Sequence, residues 1–571
     1  MLPSQGTVLQ KIKSVYILKK IFILLRKKGK LEIAKYNKKL QTKLNININD
    51  YKNCSREIEI EIIPSRDIYG LFINIGEENK KYCHIYFNDN YKKIERNYLD
   101  KSDRVKKIKI VLDYQINSLC ELFNLCKCIK KINFIKFYRN DIYNMKLMFG
   151  NCIRLESIDL SNFNTEKVID MSYMFYNCCS LKLIDLTKFT FQNVTNINSM
   201  FSYSSIKYID LSCVNAKKIV DMNEIFYGCE SLEYVDLSYL NTPNIENLYS
   251  LFYDCKSLIF ANLSNFNTQN VKTMELMFSG CKSLKFVDLS DLNTENVENM
   301  KDMFIWCESL QSINLSFNTN KVIDMSDMFF CCSSLKSIDL STFNTEKVAN
   351  MSNMFNGCES LQSINLSFNT SKVINMSGMF NCCSSLKSID LSTFNTEKVT
   401  KMSNMFNGCE KLEIIKFSNF NTSNVTDLNS MFSGCCMLTS IDLTNFCTKN
   451  VDNMENMFHQ CCSLKTINLS NFDTRNVRNM RNMFNGCEKL ECINISSFNT
   501  QNVKTMKFMF YGCTSLNLID LSNFDIKNVM NMDYMFGECS DQLKIITTKN
   551  ECKNIKDSAF ENYIFDIDSW Y

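Results

Sequence analysis

The sequence predicts a repeat solenoid, rich in β structure, with a short helical or bent segment in each coil and a small cap region at its N-terminal side. Three observations predict it. A dipeptide ending in Phe, usually Met-Phe, recurs sixteen times from Phe149 to Phe536, with gaps of 26 residues that shorten to 25 three times. A Cys stands three residues after that Phe in fifteen of the sixteen units, Ser204 being the exception. A Leu-x-x-Ile-Asp-Leu run opens each unit, as in Leu284, Val287, Asp288 and Leu289. Self-similarity at a fixed period of this length marks stacked coils, each too small to bury its own apolar face.

The elements of one unit follow from side-chain periodicity. In Leu-x-x-Ile-Asp-Leu the last three residues alternate, so Val287 and Leu289 face one way and Asp288 the other, which is a short strand. The next segment, Ser-x-Phe-Asn-Thr, is a polar turn. Its Phe (Phe266, Phe394, Phe420) plugs the corner, while Asn and Thr satisfy backbone groups nearby. Val-x-x-Met-x-x-Met-Phe has a spacing of three, which suits either a helical turn or a second bent strand. The following Cys is the small inward group that stacked coils need. The short gaps fall at Ser316-Phe317, Ser367-Phe368 and the Ser204-Ser205 region, where a loop has lost one residue. Cys307 to Gly357 and Cys358 to Gly408 are nearly identical 51-residue blocks of two repeats each.

These residues, for example Met351, Met354, Phe355, Cys358, Leu361, Ile364 and Leu366, resemble a known family. The unit resembles that of the BspA-like leucine-rich-repeat surface proteins, in the form of about 26 residues found in mycoplasma-type surface lipoproteins and in protist proteins. The resemblance implies a leucine-rich-repeat-like solenoid and a surface or adhesion-type binding role. The chain departs from the surface members because no signal peptide or lipid-attachment motif is recognisable. Val15 to Leu25 is interrupted by Lys19 and Lys20 and reads as an amphipathic helix.

The chain divides into a basic helical segment over 1–50, a small β-rich cap over 51–124, a solenoid of about sixteen coils over 125–548 and a C-terminal cap over 549–571. In the second of these, Ile58, Ile60 and Ile62 alternate with Glu57, Glu59 and Glu61, and strands are expected near Tyr82 to Phe87 and Ile108 to Leu112. Ile129, Ile132 and Phe134 form a degenerate first strand, and Leu543 and Ile546 begin a strand that is not completed. Residues 1–50 carry twelve Lys and Arg against two Asp and Glu, so of the net +4 about −6 remains for the other residues. The net basic charge therefore sits in the N-terminal segment rather than on the main surface, which argues against a nucleic-acid reader. No run of 18 apolar residues occurs, so no membrane-spanning helix is expected.

Catalytic chemistry has little to draw on. The two histidines, His84 and His459, lie far apart in sequence, and no Gly-rich phosphate loop is present. His459 reads as a surface side chain. The 29 cysteines include adjacent pairs such as Cys435-Cys436 and Cys461-Cys462 rather than the spaced pairs of zinc sites. Reduced, buried thiols are expected, which points to a cytoplasmic, reducing compartment, with the cell surface or secretion as the alternative. The column of Asp residues at 159, 185, 210, 236 and onward, interrupted by Asn, reads as a solvated polar ladder. No cofactor, metal or catalytic residue is expected.

One position points to binding. The residue before the inward Ile, Val or Ala should face outward. In five consecutive units it is Leu183, Tyr208, Tyr234, Phe260 and Phe286, and in the next four it is Ser312, Ser337, Ser363 and Ser388. A contiguous exposed apolar patch of this kind marks a partner site. The expected function is a non-enzymatic scaffold presenting a sheet surface to a protein or peptide. The alternatives are a substrate-selecting adaptor, because Ile17-Leu18, Ile21-Phe22 and Lys38-Lys39-Leu40 resemble an F-box without its Pro and Trp landmarks, and a cell-surface adhesin.

Overall fold

A computed structural model describes residues 56–547 except Tyr138, Cys213, Asn215, Ser316, Ser367 and Asn419. It also describes Ser14, Leu31, 34–36, 38–48 and the backbone of Ile564–Asp566. Most of the helical reading of 1–50, including Val15 to Leu25, lies outside these residues, as does most of 549–571. Among the described residues of this segment, helix α1 (Lys38–Leu44) buries Leu40. The chain forms two compact units, Met1–Ile219 and Val220–Tyr571.

The first unit opens with an antiparallel sheet. Strand β1 (Ile58–Pro64) buries Ile58, Ile60 and Ile62 and leaves Glu59 and Glu61 half-buried, as the alternation dictates. After β2 (Gly70–Leu71) come β3 (Cys83–Phe87), β4 (Tyr98–Leu99), β5 (Ile108–Leu112) and β6 (Ile129–Lys136). β1 lies between β5 and β6, antiparallel to both, and Lys109 and Lys107 pair with Glu59 and Glu61 at 2.7 Å each on its polar side. On its other edge β6 pairs in parallel with β7 (Ser157–Asp159). β6 is thus the last strand of the cap sheet and the first rung of the solenoid. The buried Arg139 lies just beyond it, donating to the carbonyls of Asp113 and Ile116 and to Asp141 Oδ1 at 2.8 Å.

After β6 the coils of both units share one plan, although those of Leu183 and Ile441 form no strand. Elsewhere the strand is three residues long or less, with the central residue inward, as in Tyr234–Asp236 and Phe260–Asn262, which pair in parallel. In the second unit strands pair two by two: Phe286–Asp288 with Ser312–Asn314, Ser337–Asp339 with Ser363–Asn365, and Ser388–Asp390 with Ile414–Lys416. The first member of these pairs ends in Asp and the second in Asn or Lys. Asp236, Asp288 and Asp339 are hydrogen-bonded by Asn262, Asn314 and Asn365. Opposing a carboxylate with an amide or ammonium avoids like charges one rung, about 4.8 Å, apart.

The turn after the strand holds a buried Phe and a buried Thr. The Thr reaches out of its own coil, which corrects the expectation of local bonding. Thr474 Oγ1 donates to the carbonyl of Asn499 in the next coil at 2.9 Å and accepts its N–H at 2.7 Å. The same donation recurs at Thr268, Thr319, Thr370 and Thr422. The Asn beside it does act locally, Asn293 accepting the N–H of Glu295 at 3.0 Å. Thr therefore carries hydrogen bonding across a gap in the strand ladder.

The Met-x-x-Met-Phe segment is bent, and no helix occurs in it among the described residues. Alternate N–H groups take different partners. Those of Met274, Leu276, Phe278 and Gly280 donate to the next coil, whereas those of Met277, Ser279 and Cys281 close tight turns within their own. The alternation requires left-handed residues at two places per coil, such as Asp302 (φ 56) and Trp306 (φ 59). The second of these positions is Gly in several coils. At Gly357 (φ +76) an added Cβ would meet Cys331 Sγ at 2.9 Å.

The core is a set of columns. In the second unit the Phe rings from Phe226 to Phe536 stack with centroids 5.2 to 5.8 Å apart. In the first unit Phe149, Phe175 and Phe201 do the same, and Phe123, absent from the Met-Phe count, heads the column. From coil to coil the buried column Cys donates its S–H to the Phe carbonyl of the preceding coil, as Cys281 does to Phe252 and Cys307 to Phe278 at 3.2 Å each. The position thus wants a small side chain that also carries a weak donor. Lys544–Ile546 is a complete rung, paired in parallel with Leu518–Asp520 and with Ile564–Asp566, where the sequence suggests an unfinished strand.

Candidate interaction face

A three-residue strand with an inward centre leaves its first and third residues facing solvent. Val235, Ala261 and Val287 are buried, and Tyr234, Phe260 and Phe286 ahead of them are 42%, 38% and 40% exposed. Tyr234 and Phe260 stack across neighbouring coils with centroids 5.8 Å apart and planes 13° from parallel. Phe286 begins the next strand, which pairs onward with Ser312–Asn314. Leu183 and Tyr208 are also exposed, but they belong to the first unit, and the coil of Leu183 forms no strand. The structure therefore brings together the three aromatic residues of the second unit, and places Leu183 and Tyr208 as exposed residues of consecutive coils in the first. Tyr239 and Ile259, both exposed, extend the apolar surface around Tyr234 and Phe260. Ile414 and Leu518 hold the same strand position in later coils, where they pair with Ser388 and Lys544 and not with an aromatic residue.

The electrostatics of this face come from the Asp column. Asp236 accepts the backbone N–H of Ser238 at 2.9 Å and its hydroxyl at 2.6 Å, an Asx turn that ends the strand. Burial pushes the Asp236 carboxyl up, but hydrogen bonds from Ser238, Asn262 and Tyr234 outweigh it and hold it below the ordinary value. Bonds from Ser290 do the same for Asp288. Asp390 is held down at about 2 by bonds from Ser392 and then from Lys416. These side chains are committed to their own turns. Among the described residues no group of three His, Cys, Asp or Glu could hold a metal ion.

Elsewhere the reactive side chains are occupied structurally. Burial raises the column thiols, Cys255 and Cys281 among them, well above their ordinary value, which leaves them as thiols rather than thiolate nucleophiles. His84 Nε2 lies 3.2 Å from Asp113 Oδ2, but the adjacent Cys83 thiol is pushed up to about 12 by burial. His459 is half-buried, which corrects the surface reading: its Nδ1 lies 3.4 Å from Ser433 Oγ, and burial lowers its pKa. No described helix is long and apolar enough to cross a membrane.

Comparison with known proteins places these coils. The family model described as a Mycoplasma protein of unknown function, DUF285, matches residues 101–212, 203–313, 283–389, 383–467 and 463–563. No curated protein matches the chain. Among solved structures, a leucine-rich-repeat protein of Leptospira interrogans is 15% identical over 61% of this chain and 91% of its own, with a TM-score of 0.21. A leucine-rich-repeat protein of Eubacterium ventriosum is 13% identical over 72% and 90%, with a TM-score of 0.28. The functional domain of InlJ from Listeria monocytogenes, which includes a cysteine ladder, is 12% identical over 74% and 71%, with a TM-score of 0.19.

Proposed function

We propose that this chain, which belongs to the DUF285 family of repeat proteins, is a non-enzymatic scaffold that docks a protein or peptide on the strand face of its second unit. One observation carries the reading: Tyr234, Phe260 and Phe286 project from consecutive coils while the residues behind them are buried. Large aromatic side chains fixed on a rigid sheet lose little entropy when covered, which makes them interface anchors. The carboxylates of Asp236 and Asp288 flank them and would repel phosphates, so the partner is a polypeptide with apolar side chains rather than a nucleic acid. Leu183 and Tyr208 offer a second contact area on the first unit. The free thiols of the Cys columns are compatible with a reducing compartment and support a cytoplasmic location over a cell-surface one.

The test is affinity capture from the native cells with the wild-type chain, the Tyr234→Ser/Phe260→Ser variant and an Ile414→Ser control. Loss of an anchor pair should weaken a true partner by about 30-fold or more with the fold intact. If the same proteins bind all three equally, this face is not the docking surface. If the double variant unfolds, the two side chains contribute to the core. The adaptor reading rests on residues 10–45, most of which lie outside the described residues, and capture with residues 1–50 alone tests it.

A further inference from the structure

The side chain four residues after the column Phe points outward, and in several coils it meets its counterpart one coil away. Lys256 Nζ lies 2.6 Å from Glu230, and Lys282 Nζ lies 2.7 Å from Glu308. In two consecutive coils this position is Cys, at Cys436 and Cys462. Their sulfurs converge: Cys436 Sγ and Cys462 Sγ lie 3.5 and 3.4 Å from the same carbonyl oxygen, that of Gln460. The backbone locks the two coils in register here, with Ser463 N–H donating to the Cys436 carbonyl at 3.1 Å and Gly434 N–H to that of His459 at 2.7 Å. Both thiols are partly exposed, unlike Cys435 and Cys461, which point inward and donate to the Phe406 and Phe432 carbonyls.

We propose that Cys436 and Cys462 are an oxidisable pair that closes an inter-coil disulfide in the presence of a small-molecule disulfide such as oxidised glutathione. Equivalent residues one rung apart have Cα atoms about 4.8 Å from each other, within the 4.4–6.8 Å that a disulfide spans. One thiolate attacks a sulfur of oxidised glutathione and releases one glutathione thiolate. The other then attacks the protein sulfur of the mixed disulfide and releases the second. Two protein thiols lose two protons and two electrons, and one glutathione disulfide becomes two glutathione molecules. The bond would stand at the position where the coils of Glu230 and Lys256, and of Lys282 and Glu308, carry an ion pair, and it would not depend on protonation state. Burial, the Cys436 thiol and Glu488 push the Cys462 thiol up to about 11, so closure should quicken as pH rises and more thiolate is present.

The experiment incubates the full-length chain with oxidised glutathione, alkylates the remaining thiols and maps cysteine states by mass spectrometry. The expected result is a cross-linked peptide joining Cys436 and Cys462, formed faster at pH 9 than at pH 7, with the column cysteines alkylated only after unfolding. In Cys436→Ser and Cys462→Ser the remaining cysteine should carry glutathione instead. The proposal is overturned if both cysteines are alkylated after exhaustive oxidation, if both carry glutathione, or if Cys462 links to any other cysteine.

Discussion

The Thr column makes the sharpest prediction about what holds the coils together. Thr474 is fully buried, and its hydroxyl gives and receives a hydrogen bond at the same backbone unit of the next coil, that of Asn499. Thr474→Val keeps the shape of the side chain and removes both bonds. A buried backbone group left without a partner costs about 1–3 kcal/mol, and two groups are orphaned here. Asn499 is itself half-buried, so water recovers part of the loss, and about 2 kcal/mol is expected. That corresponds to roughly a thirtyfold rise in the local opening equilibrium. Solenoids open locally, so the suitable assay is hydrogen exchange resolved by peptide across residues 472–503, supported by urea unfolding. Thr474→Ser is the control: it keeps the hydroxyl and loses one methyl group, at a cost of about 1 kcal/mol. If the Val variant protects its amides as well as the Ser variant does, the hydroxyl contributes no net stability and the account of the Thr column is wrong.

Three further outcomes follow from other columns. Burial, with Asp327 and Glu275 nearby, raises the Asp302 carboxyl to about 6 against the opposing pull of Lys301. A pKa raised on folding contributes stability that is present below about pH 4 and lost as pH passes through 6, so the charged group is a liability at pH 7. Asp302→Asn, the residue found at the equivalent left-handed position of Asn353 and Asn404, should therefore stabilise the chain at pH 7 by about 1 kcal/mol after allowing for solvent screening. That advantage should vanish near pH 4.5 in urea titrations, and an equal gain at both pH values would contradict the electrostatic cause. Phe355→Ala breaks a continuous ring stack in the core and should cost about 3–5 kcal/mol by thermal or urea unfolding. Tyr234→Ser, on the exposed face, should cost less than about 1 kcal/mol in the same measurement.

The period, the stacking and the direction of the strand residues were legible because each is written within one coil. Ile58, Ile60 and Ile62 declare their face by alternation, and Tyr234 by standing before Val235. What stayed hidden depends on the neighbouring coil. Spacing of three in Met-x-x-Met-Phe fits a helix as well as a chain of turns. The deciding feature, that alternate N–H groups leave the coil, has no signature in the coil itself. Trp306 in a left-handed conformation could not be read from residue preference, because ladder bonds on both sides impose it. Cys looked like a small apolar filler, and its bond to the Phe carbonyl below is visible only once coils are stacked. Phe123 falls outside the count, although Leu122-Phe123 has the form of Leu251-Phe252 and Cys126 follows three residues later, because the strand run after it, Ile129 to Phe134, is degenerate. At the candidate face exposure was readable. The absence of a strand at Leu183 was not, since pairing depends on two segments.

The matching of carboxylate with amide from one rung to the next has an evolutionary corollary. An extra single coil inserted between Asp288 and Asn314 would set either two acids or two amides side by side, while a block of two would restore the sequence of partners at both joins. Growth by two coils keeps this order of partners in the stretch from Asp288 to Lys416, and the near-identical tandem at Cys307 to Gly357 and Cys358 to Gly408 has that size. Lineages that differ in array length should differ there by about 51 residues at a time, so the sheet lengthens by two rungs, about 10 Å, at each step.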